Sequence, residues 1–222
     1  MNQFDETVRS VERALSIIEA LSRDEEMGIS DLSRELGLNK ATVYRLITTL
    51  CLHGYVEQVR RDKYKLTFKM FELGSRVVNR LGIRKTAFPY LEQLAEITKE
   101  TINLAALEEN NVCYLDRIES REPLRLGMDI GSRFPAHCTA LGRVLLAYHD
   151  PAERDSFLLK SEREGQIQKY TSTTLTDMEL IKKELHTIRE QGYAIETEQY
   201  IPGIRCIAAP IFNHTDKTVA AV

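Results

Sequence analysis

Apolar positions in the first third of the chain recur at helical spacing. Val11, Ala14, Leu15, Ile18 and Leu21, opposed by Arg9, Glu12, Arg13 and Glu19, predict a core-facing first helix. Leu32 and Leu36 follow in a short second helix for which Ser30 is a suitable N-cap. Gly37 stands where a turn needs positive φ, and Asn39 is placed to cap a third helix. There Val43, Leu46, Ile47 and Leu50 take positions i, i+3, i+4 and i+7, leaving Lys40, Thr42, Tyr44, Arg45, Thr48 and Thr49 outside. Gly54 ends that helix. Residues 55–59 and 64–68 then alternate as strands, joined by Arg60-Arg61-Asp62-Lys63 as a turn.

Further on, Met70, Leu73, Val77 and Leu81 predict a helix over about 69–82. Residues 84–100 form another amphipathic helix, bent or begun at Pro89. Strand-like stretches cover 101–107, 112–119 and 124–129, with Asn110 in the first turn. A helix is expected over 139–149. Thr176-Asp177-Met178-Glu179 reads as a capping box for one that ends at Gly192. Residues 193–199, 204–212 and 218–222 complete the strands. Antiparallel strands with segregated helices make the second part α+β. The expected division is a winged helix-turn-helix at 1–68, a linker helix at 69–83 and a second domain at 84–222.

A chain of 222 residues can hold two such domains. Its longest apolar run, Val144–Tyr148, is too short to cross a bilayer, and its polar, acidic start is not a signal peptide, so a cytoplasmic protein is expected. Cys51, Cys113, Cys138 and Cys206 form no CxxC pair, which predicts free, mostly buried thiols and no metal site. No cofactor is implied.

The formal charge of −3 says nothing of nucleic acid, but its distribution does. Residues 1–39 carry four basic and nine acidic side chains, whereas residues 40–69 carry seven basic and two acidic. The sign changes where the third helix begins. A basic face with an acidic back orients a module on polyphosphate. The outward residues of the third helix suit the major groove of double-stranded DNA. Arg45 and Thr42 are candidates for base edges and Lys40 for phosphate, with Tyr44 and Thr48 on the same surface. Arg60, Arg61 and Lys63 at the hairpin tip would touch backbone or minor groove as a wing.

The segments SVERALSIIEAL (10–21), ISDLSRELGLNKATVYRLITTLCLHGYV (29–56), KYKLTFKMFELGSR (63–76), PAHCTALGRVLLA (135–147) and IREQGYAIETEQYIPGIRCIAAPIF (188–212) resemble, in order, the IclR family of bacterial transcription regulators. The segments 63–76 and 97–109 look most like the branch that answers to 2-keto-3-deoxygluconate. The resemblance implies a GAF-like effector domain, a homodimer or dimer of dimers, and a palindromic operator. It implies a repressor of a catabolic operon, controlled by a small carboxylate or sugar acid.

PAHCTALGR leads into a helix start whose first amides, at Ala140, Leu141 and Gly142, lack helical partners and make an anion site. The resemblance places the effector carboxylate on the Ala140 and Leu141 amides, an apolar wall at Leu126, and polar contacts at Glu196 and Cys206. It also implies contacts from serines beyond Val222, with a closing strand and helix, so the effector domain reads as truncated. Two alternatives stand beside this reading. One is a protein-interaction adaptor built on the winged helix. The other is a thiol-dependent enzyme using Cys138 or Cys206 with a histidine. His137 and Cys138, neighbours in a strand, would point opposite ways and form no dyad.

Overall fold

The computed structural model describes residues 7–120 and 129–222, with the backbone alone at 78–81. The expected strand at 124–129 and the expected wall residue Leu126 lie outside the described residues. The chain divides into two compact units, residues 1–80 and 81–222.

In the first unit α1 (Arg9–Arg23), α2 (Ile29–Glu35) and α3 (Lys40–Leu52) enclose a core of Ile17, Leu21, Leu32, Val43, Ile47, Val56 and Tyr64. The α1 stripe is rotated from the expected one. Ile17, Ala20 and Leu21 are buried, whereas Val8, Val11 and Leu15 are exposed. This helix carries apolar residues on two sides, and spacing alone cannot say which side meets α3.

Helix α2 starts one residue before Ser30, so Ser30 lies in its first turn and is not its cap. The entry is set by β1 (Met27–Gly28), which pairs antiparallel with β3 (Lys63–Leu66). Asn39 does cap α3: its Oδ1 accepts from the Thr42 amide at 2.8 Å. Strand β2 (Val56–Arg60) pairs with β3 so that Arg60 faces Lys63, and the hairpin turn shrinks to Arg61-Asp62. The sheet order is β1-β3-β2. Helix α4 (Lys69–Leu81) follows. None of its residues with a described side chain is buried, and Phe71, Leu73 and Val77 are exposed.

The second unit starts with α5 (Ile83–Thr98), which runs through Pro89 without ending there. A five-stranded antiparallel sheet follows, in the order β6-β5-β4-β10-β9. Its strands are β4 (Ile102–Glu108), β5 (Asn111–Ile118), β6 (Arg133–Pro135), β9 (Pro210–Phe212) and β10 (Thr218–Ala221). A separate ribbon pairs β7 (Ala194–Thr197) with β8 (Arg205–Ala208). The single strand expected over 204–212 is therefore two strands in different sheets. Ala209 at the break exchanges both backbone hydrogen bonds with Val222, and Pro210 has no N–H to continue the first ribbon.

A 3-10 turn at Ala136–Cys138 leads into α6 (Ala140–Tyr148), which is buried from Ala140 to Ala147 between the sheet, the ribbon and α8 (Met178–Gln191). His137 and Cys138 thus lie in that turn, not in a strand. Helix α7 (Pro151–Arg163), capped by Asp150, is an element the apolar pattern did not suggest. Helix α8 is capped by Asp177 rather than Thr176: one carboxylate oxygen accepts from the amides of Glu179 and Leu180.

Candidate DNA-binding surface and effector site

Burial of Val43, Ile47 and Leu50 turns Ala41, Tyr44, Arg45 and Thr48 of α3 outward as one stripe, with Lys40 at its N-terminal end. Ala41 was not among the candidates, although the period of 41, 44, 45 and 48 marks it. Thr42 is half-buried and sits at the edge of that stripe. Thr48 spends its hydroxyl on the Tyr44 carbonyl at 2.8 Å, so its methyl is what remains to offer.

The wing is less freely basic than its composition suggests. Lys63 Nζ binds the Asp31 carboxylate at 3.1 Å, and Lys65 Nζ lies 3.0 Å from Glu57. The Arg60 guanidinium is 3.7 Å from Glu26. The Lys63 hydrogen bond, with the Gly28 amide, holds the Asp31 carboxyl below the usual range. Lys63 therefore ties the hairpin to the start of α2. Arg61, at the exposed tip, makes no ion pair among the described residues.

In the second unit the Thr139 side chain caps α6, accepting from the Gly142 amide at 3.3 Å and donating to the Pro135 carbonyl at 2.9 Å. This removes Gly142 from the expected set of ligand-facing amides and leaves those of Ala140 and Leu141. The missing Gly142 side chain serves packing: a Cβ there would lie 2.3 Å from both Cα and O of Ala136. The close approach is to this chain's own backbone, not to a ligand.

Glu196 and Cys206 are direct partners across the β7–β8 ribbon, on one face of it. Glu196 is 3% exposed, and its Oε1 accepts from the amides of Gln199 and Tyr200. Half of its expected capacity for ligand hydroxyls is thus committed to its own loop. Cys206 is solvent-accessible, yet its sulfur is packed among protein atoms. That burial, then the Glu196 carboxylate, push the thiol up to about 11. Burial likewise pushes Cys138 up to about 12. Neither is a thiolate at neutral pH, so neither is an activated nucleophile.

Two features here left no trace in the sequence. Arg143, 1% exposed, forms an ion pair with Glu184 through Nη1 and donates from Nη2 to the Ile195 carbonyl at 3.2 Å, beside Glu196. An aromatic chain runs Tyr114, Phe134, Tyr200, Tyr170, with successive centroids 4.9, 5.7 and 4.9 Å apart. Its members are too scattered in sequence for any spacing to connect them.

Residues 10–60 match the IclR helix-turn-helix domain, and residues 75–222 match the C-terminal domain of the bacterial transcriptional regulator IclR. The chain belongs to the IclR family. It is 37% identical to the HTH-type transcriptional regulator KdgR of Escherichia coli, over all of this chain and 83% of that protein. It is 36% identical to KdgR of Dickeya chrysanthemi, over all of this chain and 72% of that protein. Among solved structures, an IclR homologue from Microbacterium hydrocarbonoxydans complexed with 4-hydroxybenzoate superposes with a TM-score of 0.80. That pair is 27% identical over 96% of this chain and 86% of the other. This IclR protein is a transcriptional regulator, not an enzyme, and KdgR is the branch it is similar to.

The 3-10 turn also holds a buried histidine whose titration should couple to stability. His137 is buried, its Nε2 3.0 Å from the Gln168 carbonyl, and burial pulls its pKa below the ordinary value. Below about pH 6.5 the unfolded chain takes up a proton that the folded imidazole resists, so stability falls with pH until the folded group titrates. The thermal midpoint of the C-terminal unit is expected to drop from pH 7.5 to about 5.5, less steeply in His137→Gln. Parallel midpoint–pH curves for the two proteins would refute this role.

Proposed function

We propose that this IclR-family chain is a dimeric repressor of a catabolic operon that reads a palindromic operator in double-stranded DNA. In this reading the sensor is a GAF-like domain that takes a small carboxylate or sugar acid, and the protein works in the cytoplasm. The observation that carries it is the outward stripe of α3 next to a hairpin with Arg61 at its tip. Arg45 and Tyr44 would reach base edges, with Ala41 and Thr48 offering methyls to thymine. Lys40, Thr42, Arg60 and Arg61 would contact the backbone, with Lys63 holding the wing in place.

Dimerisation is supported by uncovered apolar side chains in the first unit: Val8, Val11 and Leu15 share one face at the start of α1, and Leu73 and Val77 share one on α4, with Phe68 (90% exposed) and Phe71 exposed nearby in the chain. Such faces favour burial against a second copy. The effector carboxylate would lie on the Ala140 and Leu141 amides at the start of α6, its hydroxyls toward Glu196 and Cys206, with Leu126 as the apolar wall. A sugar acid is supported by the resemblance of segments 63–76 and 97–109 to the branch that answers to 2-keto-3-deoxygluconate, and a small acid in this fold by the Microbacterium homologue complexed with 4-hydroxybenzoate. The effector acts only through a difference in affinity between DNA-competent and incompetent states.

The test is fluorescence anisotropy with DNA from upstream of the chain's own operon, against a scrambled duplex at fixed salt. Arg45→Ala is expected to cost about 1–3 kcal/mol on the operator and to relax one base position in each half-site. Undiminished, equally selective binding by that variant sinks the assignment of α3. Absence of any salt-dependent duplex affinity in the parent protein sinks the reading as a whole.

A further inference from the structure

A cavity of 260 Å³ opens on the second unit between the β4–β5 turn, the 3-10 turn before α6, helix α7 and the loop at 166–170. It is a place apart from Glu196 and Cys206, which do not line it. One part of its wall is apolar, from Leu146, Leu158 and Ile167. The rest is polar and wholly uncharged: no Lys, Arg, Asp or Glu lines it.

Several of these polar groups lack protein partners. Ser161 is 97% buried by exposure of 3%, and its hydroxyl makes no hydrogen bond among the described residues. Asn111, at the start of β5, likewise has no side-chain partner among them. His137 donates from Nε2 to the Gln168 carbonyl, an acceptor only, so its neutral ring keeps Nδ1 as a bare acceptor. Donors and acceptors left open around a cleft, opposite an apolar wall, are the composition of a small-molecule site. The volume falls just below the range for drug-sized ligands, which suits a molecule of monosaccharide size. A buried acid would find no cation to pair with its charge.

We propose that this cavity is a second ligand site, for a neutral aldose, distinct from the acid site at the start of α6. The ligand's hydroxyls would pair with Ser161, Asn111 and His137, and its C–H face would lie on the leucines. The Tyr170 ring, at the rim, adds an aromatic surface. The site shares the 3-10 turn with α6: Ala136, in the cavity wall, is the residue against which Gly142 packs. Occupancy therefore bears on the Ala140 and Leu141 amides through one rigid turn.

The proposal does not depend on DNA recognition, so its test is run on the protein without DNA. Isothermal titration calorimetry would use D-glucose, D-galactose, D-xylose and L-arabinose up to about 10 mM, with D-gluconate as the acidic control. At least one neutral sugar is expected to bind saturably. Ser161→Leu, which fills the cavity, should abolish that binding. Asn111→Ala, which adds no bulk, should weaken it about tenfold. Should Ser161→Leu not fold, Asn111→Ala decides. A cavity that holds water only, with no saturable heat from any of the four sugars, overturns the proposal. So does sugar binding that is indifferent to Asn111→Ala.

Discussion

Gly142→Ala is expected to lower the thermal midpoint of the C-terminal unit by roughly 6–12 °C, from a loss of about 3 kcal/mol. The added methyl would meet the Cα and O of Ala136 at 2.3 Å and its carbonyl carbon at 2.7 Å. These are backbone atoms with no rotamer to yield, and real contacts of this kind begin near 3 Å, so helix and turn must part. Part of their hold is the Thr139 side chain, which caps α6 and bonds the Pro135 carbonyl. The displacement would reach the Ala140 and Leu141 amides, so acid binding should fail together with stability. Gly74→Ala in α4 is the control. Nothing lies within 4 Å of its Cβ, and an alanine inside a helix should be neutral or stabilising by up to about 1 kcal/mol. Calorimetric scans showing Gly142→Ala within about 2 °C of the parent would refute the packing role.

Arg143→Met is expected to destabilise the same unit by about 3–5 kcal/mol, the cost of breaking a buried pair from one side. The guanidinium is 1% exposed, paired with Glu184 and bonded to the Ile195 carbonyl. Methionine fills similar space but leaves both acceptors without a donor. Burial already raises the Glu184 pKa, and Arg143 is the charge that lowers it. Without Arg143 the folded carboxyl binds its proton more tightly than the unfolded one. The deficit should therefore shrink as pH falls through the raised Glu184 pKa. A second change, Glu184→Met, should recover much of the loss at neutral pH, since an apolar pair can replace a buried ionic one. Urea titrations in which the double variant is no more stable than Arg143→Met would remove Glu184 from the explanation.

The two sites differ in how far they can be read from the chain. Around α3, each function is local. Asn39 caps from three residues away, Gly37 supplies the turn, and the spacing of Val43, Ile47 and Leu50 alone decides which residues face out. The wing shows where this stops: Lys63 reads as a free phosphate contact until Asp31, 32 residues earlier, is found on its Nζ. In the second unit, Gly142 illustrates the same limit. Its amide reads as one open to a ligand, and only the Thr139 side chain and the position of Ala136 show that both the donor and the space beside it are taken. Cys206, expected as a buried thiol, keeps its sulfur packed while the residue as a whole is exposed, and only register across the ribbon reveals Glu196 as its partner.

The sequence by itself determined what repeats within a few residues: the helix-turn-helix, the Asn39 cap of its third helix, the hairpin, the charge reversal at Lys40 and the family. These depend on backbone preferences and side-chain periods that act along the chain. Only the tertiary structure decided which face of α1 is core, that residues 204–212 serve two sheets, and that Arg143 underlies Glu196. It also brought Asn111, His137 and Ser161 around one cavity. Those facts depend on contacts between residues tens of positions apart, whose partners are set by how the layers pack and not by any local spacing.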